Sequence, residues 1–401
     1  SFFLINGTSS GLQALILTVC NSGDKIIVPR NMHKSMVAGV VLSGAKPVFL
    51  SPEVNEEFGI ALGVTADQIQ AAWQAHPEAK AALLINPTYY GTTCDLGALA
   101  TIAHRYQRPL LVDEAHGPHF YFHPGLPPGA LTLGADACAQ GAHKTLCSLT
   151  QSSWLHIQGP RLDRERLQTT LAMLLSTSAS YPLLASLDLA RQQMVMDGRT
   201  ILERTIELAE ELRRELKVVP GVAVLDQEQL GHEAALELDP TKVTVNVRWL
   251  GLTGQQVEIL LRHKHGIQVE LSDLYNVLLM VGPGNTKDDV TALITAFRDV
   301  VAQSRTQKTQ VRGLIVPPLP YQVLTPREAF FAPAQSVPLA EAVGCISTET
   351  VTCYPPGIPI LCPGEEITAE VVDYIALMIR EGYRVQGPRD GGWARLRVIQ
   401  N

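Results

Sequence analysis

The strongest constraint on this chain is a repeated alternation of short apolar runs with longer amphipathic stretches. Lys25-Ile26-Ile27-Val28 follows Asn21-Ser22-Gly23-Asp24 and stops at Pro29. Pro47-Val48-Phe49-Leu50 stops at Ser51-Pro52, residues 81–85 stop at Asn86-Pro87, and residues 109–112 stop at Asp113-Glu114. Each run has the length of a buried strand and is closed by turn residues. Between them, residues 65–76 and 95–106 carry a helical pattern. Strand, helix, strand in this rhythm predicts an α/β domain with a mostly parallel sheet. Ligands of such sheets sit off the carboxyl ends of the strands. Asn86 and Asp113, each following the last apolar residue of its strand, are therefore the first candidates for a site.

Further along, residues 200–216 read as one amphipathic helix, with Ile201, Leu202, Ile206, Leu208, Ala209, Leu212 and Leu216 at helical spacing. Pro220-Gly221 ends it. A new unit follows, with a strand over 243–250 and a helix over 254–265. Pro317-Pro318-Leu319-Pro320 reads as a linker, and Tyr354-Pro355-Pro356-Gly357-Ile358-Pro359 is neither helix nor central strand. The expected plan is a large domain over 1–200, lacking part of its N-terminal end, a small α/β domain over 201–312 and a C-terminal segment over 313–401.

Composition removes whole classes of function. With 401 residues, 46% hydrophobic and 18% charged, the chain is not disordered. A net charge of −7 gives no basic face for nucleic acid. No apolar run approaches the ~18 residues of a membrane span. The seven cysteines are odd in number and form no CxxC, so a reduced, cytoplasmic protein without a metal is expected.

Four features stand in a meaningful order. Asn6-Gly7-Thr8-Ser9-Ser10-Gly11 precedes the apolar helical pattern of residues 12–19. Glycines and hydroxyls at a helix start make an anion cradle, because free N–H groups and the helix dipole point at the ligand. The same loop also serves as an ordinary helix cap. His33 lies in Arg30-Asn31-Met32-His33-Lys34-Ser35 and alone reads as a surface or core histidine. Asp113 ends a buried strand in Leu110-Leu111-Val112-Asp113-Glu114-Ala115-His116-Gly117. A carboxylate there needs a partner, whether a helix start, an ion pair or a cationic ring nitrogen. Lys144, in Gln140-Gly141-Ala142-His143-Lys144-Thr145-Leu146, follows a small and nearly uncharged segment. Desolvation lowers a lysine pKa and makes the amine nucleophilic toward aldehydes. Together the four meet the needs of pyridoxal phosphate. The cradle takes the phosphate, an imidazole stacks on the ring, the aspartate keeps the pyridine nitrogen protonated and the lysine forms the Schiff base.

On these residues the chain resembles the pyridoxal-phosphate-dependent ornithine/lysine/arginine decarboxylases, in their short form. The matching stretches are Phe3-Leu4-Ile5-Asn6-Gly7-Thr8-Ser9, Arg30 to Ser35, Asp113 to Gly117, His143-Lys144-Thr145-Leu146 with Thr150-Gln151-Ser152-Ser153, and Tyr354 to Pro359 with Pro363-Gly364-Glu365. The resemblance implies the aspartate-aminotransferase fold (fold type I). It makes Lys144 the Schiff-base lysine, Asp113 the partner of the pyridinium and His33 the stacking ring. Thr8 and Ser9 hold the phosphate, aided by His143, while Ala115 and His116 lie against the cofactor. It also implies a homodimer, or a multiple of one, in which Thr177 of Ser176-Thr177-Ser178 reaches a phosphate in the neighbouring site. Two departures stand out. Gly141 replaces a usual serine, and the family's segment before the first motif, with its Pro-Gly-His-Lys element, is not in this sequence.

The implied reaction is decarboxylation of arginine, lysine or ornithine, with arginine favoured, to the polyamine-type amine and carbon dioxide. Lys144 or His116 is the candidate to reprotonate the α-carbon, and Glu365 the candidate to meet the substrate's distal cation. For Glu365, capping of the following helix is an equal alternative. An aminotransferase or carbon–carbon lyase on the same fold, with Arg395 or Arg397 holding a carboxylate, and a catalytically silent homologue remain open.

Overall fold

The structure, a computed structural model, describes residues 1–304, 317–354, 358–381, 384–387 and 395–400. Its centre is a seven-stranded sheet ordered Phe2–Leu4, Ser153–Ile157, Ala137–Gln140, Leu110–Asp113, Ala82–Ile85, Lys25–Pro29 and Lys46–Leu50. The five strands from Ala137–Gln140 to Lys46–Leu50 pair in parallel, and Ser153–Ile157 runs against both of its neighbours. These strands are apolar on both faces because helices cover both. On one side Leu12, Leu15 and Ile16 of helix Gly7–Val19 join Met36 and Val40 of helix Lys34–Ser43 and Leu83, Leu111 and Leu155 of the sheet. On the other, Ile69 and Trp73 of helix Ala66–Ala75 and Leu99 and Ala103 of helix Leu96–Arg105 pack on Ile27, Leu84 and Val112. Each such fully buried side chain contributes about 1.5–3 kcal/mol.

The sheet is the expected mostly parallel one, and the helices over 65–76 and 95–106 form within a residue of their expected ends. The helix expected over 200–216 runs much longer, from Tyr181 to Lys217. Its first half hides its period because Tyr181, Leu189, Val195 and Met196 are exposed. A second, antiparallel sheet is ordered Ala223–Val224, Lys242–Asn246, Asn276–Met280 and Leu271–Ser272. The strand expected over 243–250 starts at Lys242 and stops at Asn246, where Arg248–Leu250 tightens into a 3-10 turn closed by Gly251. Helix Gly254–His265 matches expectation, started by a Thr253/Gln256 capping box. Val257, Leu261, Leu293 and Phe297 fill this second core.

The C-terminal part pairs Val351–Tyr354 with Ile358–Leu361 and with Arg384–Gln386, and Ala334–Pro338 with Arg395–Ile399. Helix Ala369–Arg380 packs Val371, Ile375 and Met378 onto them. Pro355, Pro356 and Gly357 of the Tyr-Pro-Pro-Gly motif lie outside the described residues. No helix among the described residues is long and apolar enough to cross a membrane.

Candidate active site

The parallel strands all end on one edge of the main sheet, and the loops that follow them enclose a cavity of about 350 Å³, the size of a small-ligand site. Gly7, Thr8 and Ser9 line it from the first turn of helix Gly7–Val19, which has no side-chain cap from Asn6 and whose first N–H groups have no partner within the helix. Thr8 is held by Ser153, with Oγ1 2.8 Å from Oγ. His33 lines it from the start of the next helix, where its Nδ1 accepts from the Ser35 backbone N–H. Burial, then the charges of Lys144 and Lys34, push the His33 pKa down to about 4. A buried neutral imidazole is a flat, uncharged stacking surface.

Asp113 occupies the last rung of its strand, opposite Ile85 on one side and Ala139 on the other. One of its oxygens accepts from the Ala115 N–H at 3.1 Å. Burial pushes the Asp113 carboxyl up to about 6, opposed by the Lys144 charge. No salt bridge to it occurs among the described residues, so this buried acid is short of a cation. The next residue, Glu114, points the other way and is consumed by Ala130 N, Gln140 Nε2 and the Tyr121 hydroxyl.

Lys144 follows the Ala137–Gln140 strand in the short helix Ala142–Thr145. Its Nζ lies 2.9 Å from His116 Nε2 and 5.4 Å from the centre of the Tyr89 ring. Burial lowers its pKa, with Asp113 and Glu270 pulling the other way. His143 donates from Nδ1 to the Ser152 carbonyl at 2.8 Å. Gly141 has a physical reason. A Cβ there would lie 2.8 Å from the Ala115 carbonyl oxygen and 3.1 Å from Lys144 Cδ, so the lysine stem passes over the place a serine would fill.

Thr8, Ser9, His33, Asp113, Ala115, His116, His143 and Lys144 thus surround one cavity. Three expected residues do not. Asn86 is buried beside the cavity, where its Oδ1 accepts from the Cys94 N–H at 3.0 Å. Thr177 is exposed between the helices Arg164–Leu174 and Tyr181–Lys217, away from this chain's own cavity. Glu365 corrects an expectation. It is fully buried and accepts from both Nη atoms of Arg30, at 2.8 Å for Nη2, and from the Cys362 N–H at 2.7 Å. A carboxylate so consumed has no oxygen left for a substrate cation, and it does not start the helix either, which Thr368 caps. Arg30 also donates to the Pro359 and Ile360 carbonyls, so the pair fastens the C-terminal part to the loop that carries His33.

Sequence reasoning missed two participants. Tyr89 tilts against His116, with ring centres 4.5 Å apart. Lys242 reaches in from the second sheet, its Nζ 3.0 Å from His116 Nδ1. Its signal was available: a lysine opening a buried strand has the same need for a partner as an aspartate closing one.

Residues 1–289 match the family described as Orn/Lys/Arg decarboxylase, major domain, and residues 307–387 its C-terminal domain. The chain is 44% identical to an arginine decarboxylase of Bacillus subtilis and 42% identical to one of Bacillus anthracis, in each case over all of this chain and 82% of the relative. Its fold is that of lysine decarboxylase A from Pseudomonas aeruginosa, with a TM-score of 0.84 at 24% identity over 99% of this chain and 69% of that one. The site fits the cofactor of that fold, pyridoxal phosphate. The helix start suits its phosphate, the uncharged His33 its ring, the unpaired Asp113 its protonated nitrogen and the desolvated Lys144 its aldehyde. The chain belongs to the Orn/Lys/Arg decarboxylases, pyridoxal-phosphate-dependent carboxy-lyases that act on basic amino acids.

Proposed function

We propose that this decarboxylase acts on arginine, releasing carbon dioxide and leaving the matching polyamine-type amine. The observation that carries the reading is identity of 44% and 42% over the whole chain with proteins named arginine decarboxylase. The bound cofactor supplies an aldehyde for the substrate amine and a protonated ring that receives the electrons of the breaking carbon–carbon bond. The chain's own residues do the rest. Gly7, Thr8 and Ser9 bind the phosphate, with His143 beside them. His33 orients the ring by stacking. Asp113 holds the proton on the ring nitrogen, and this contact strengthens in value as negative charge develops. Lys144 and His116, 2.9 Å apart, form the proton source for the reacting carbon. The test is carbon dioxide release from arginine, lysine and ornithine by the cofactor-loaded protein. Arginine should be turned over with the highest kcat/KM, and a preference for either other substrate overturns the reading.

In the same reading the enzyme is a cytoplasmic homodimer, or a multiple of one, and Thr177 crosses to the neighbouring site. Its exposure on its own subunit leaves it free to do so. Mixing Lys144→Ala with Thr177→Ala subunits should regenerate activity, because one site of each mixed dimer then carries neither lesion. No recovery after confirmed subunit exchange rules a shared site out.

A further inference from the structure

Lys242 opens a strand of the second sheet, yet its side chain is fully buried and ends against His116, on the side of that ring away from Lys144. Gly91 makes the passage possible. It sits at φ +89°, and a Cβ there would come within 2.8 Å of Lys242 Cβ and 3.2 Å of Asp239 Cβ. The amine stops 3.0 Å from His116 Nδ1, while Lys144 Nζ stands 2.9 Å from Nε2 of the same ring. One imidazole is therefore held between two lysines.

Proton counting makes this arrangement specific. A neutral imidazole has one N–H and one lone pair, and an ammonium has donors but no lone pair. With a hydrogen bond on each side, one lysine donates to the ring and the other accepts from it, so one of the two amines is uncharged. A doubly protonated ring would need both amines uncharged, and burial beside both lysines holds the His116 pKa well below its ordinary value. Burial lowers the pKa of both lysines, that of Lys242 to about 8, which leaves it an ammonium at neutral pH, and the surrounding anions oppose the lowering. Lys242 is next to Asp239, whose carboxylate is held ionised against burial by His119, 3.0 Å from Oδ2, and by Thr241, which donates from both N–H and hydroxyl. Lys144 has Asp113 on its side, an acid that burial drives toward its neutral form. Glu270 favours the charged form of both lysines, ahead of Asp239 for Lys242 and behind Asp113 for Lys144. His33, His119 and the Tyr89 ring complete the titratable groups facing His116.

We propose that Lys242 is a positioning residue. As an ammonium it donates to His116 Nδ1 and fixes the ring as its Nε2–H tautomer, and that N–H in turn donates to Lys144 and holds it as the neutral amine that takes up the cofactor aldehyde. In that uptake the Lys144 nitrogen bonds the aldehyde carbon, and the carbonyl oxygen leaves as water with the two amine hydrogens. Because Lys242 belongs to the second sheet, the readiness of Lys144 depends on the two sheets being docked.

The inference rests on Lys144 being the cofactor's lysine, and two measurements test it in cofactor-free protein. The first is nitrogen-15 NMR of histidine-labelled wild type at neutral pH, with the His116 signals assigned by their loss in His116→Gln. The Nε2–H tautomer is expected, and the Nδ1–H tautomer overturns the proposal. The second is the rate of uptake of pyridoxal phosphate as a function of pH. Lys242→Met should slow uptake at pH 7 about tenfold and move the midpoint of the profile up by about one unit, and Lys242→Arg should keep the wild-type midpoint. Uptake by Lys242→Met with an unmoved midpoint overturns the proposal. No covalent uptake by wild type would instead remove Lys144 from its role, while the tautomer still decides the role of Lys242. The tautomer also decides if Lys242→Met does not fold.

Discussion

Two buried groups of charged side chains flank the short loop from Arg30 to His33, and they are built by opposite rules. In the first, Arg30 and Glu365 meet at both Nη atoms, and the remaining hydrogen-bonding capacity goes to Pro359, Ile360 and Cys362. Every charge is matched and nothing opens onto the cavity that holds Lys144. In the second, Asp113 has no ion pair among the described residues and two lysines crowd one histidine. Pairing is what a fold needs in order to tolerate buried charge. Charge left unpaired in a cavity marks where a ligand supplies the partner. The first group therefore carries stability and the second carries chemistry.

Substitutions break this contrast in order of effect. Lys144→Ala should abolish turnover and leave the loaded protein without the absorbance of the covalently held cofactor, although phosphate contacts still retain some of it. Asp113→Asn should lower kcat by about 10- to 100-fold, the worth of a hydrogen bond to a charged group at about 1.5–3 kcal/mol, with cofactor affinity falling less. The same variant has a pH signature in cofactor-free protein. Burial raises the folded Asp113 pKa from 3.8 to about 6. Between those values the native state keeps a proton that the unfolded chain releases, so this residue costs stability as pH rises through the window. Asp113→Asn escapes that cost. It should gain on wild type by about 2 kcal/mol between pH 4 and 7, read by denaturant unfolding at both pH values. No gain would mean that the carboxylate is already paired.

Glu365→Gln should do the reverse. It leaves Arg30 as an uncompensated buried cation, so unfolding free energy should fall by about 3–5 kcal/mol. The KM for arginine of the folded enzyme should hold, and a raised KM with unchanged stability would return Glu365 to the substrate site. The smallest effect is expected of Gly141→Ser, which crowds the Ala115 carbonyl and the Lys144 stem. A cost of about 1–3 kcal/mol, typical of overpacking, should appear as a lower melting temperature.

Much of this contrast can be read from sequence, and the rest is hidden for definite reasons. The strands ending at Pro29, Ile85 and Asp113 are legible because turn residues punctuate apolar runs. Strand ends of a parallel sheet converge, so His33, Asp113 and Lys144 can be expected to meet without knowing any contact. Glu365 misleads because its partner Arg30 is remote in sequence, and a Pro-Gly-Glu loop looks the same whether its carboxylate faces a cavity or an arginine. Lys242 is invisible for a similar reason. It arrives from a second sheet, and only the docking of the two sheets brings it to His116.

Of the two buried lysines, 144 and 242, Lys144 is the amine proposed to hold the cofactor. Borohydride reduction of the loaded wild-type enzyme, followed by peptide mapping, tests that assignment directly. A single reduced cofactor adduct is expected, on the peptide that contains Lys144, with Lys242 unmodified. An adduct on Lys242, or on any other lysine, would contradict it.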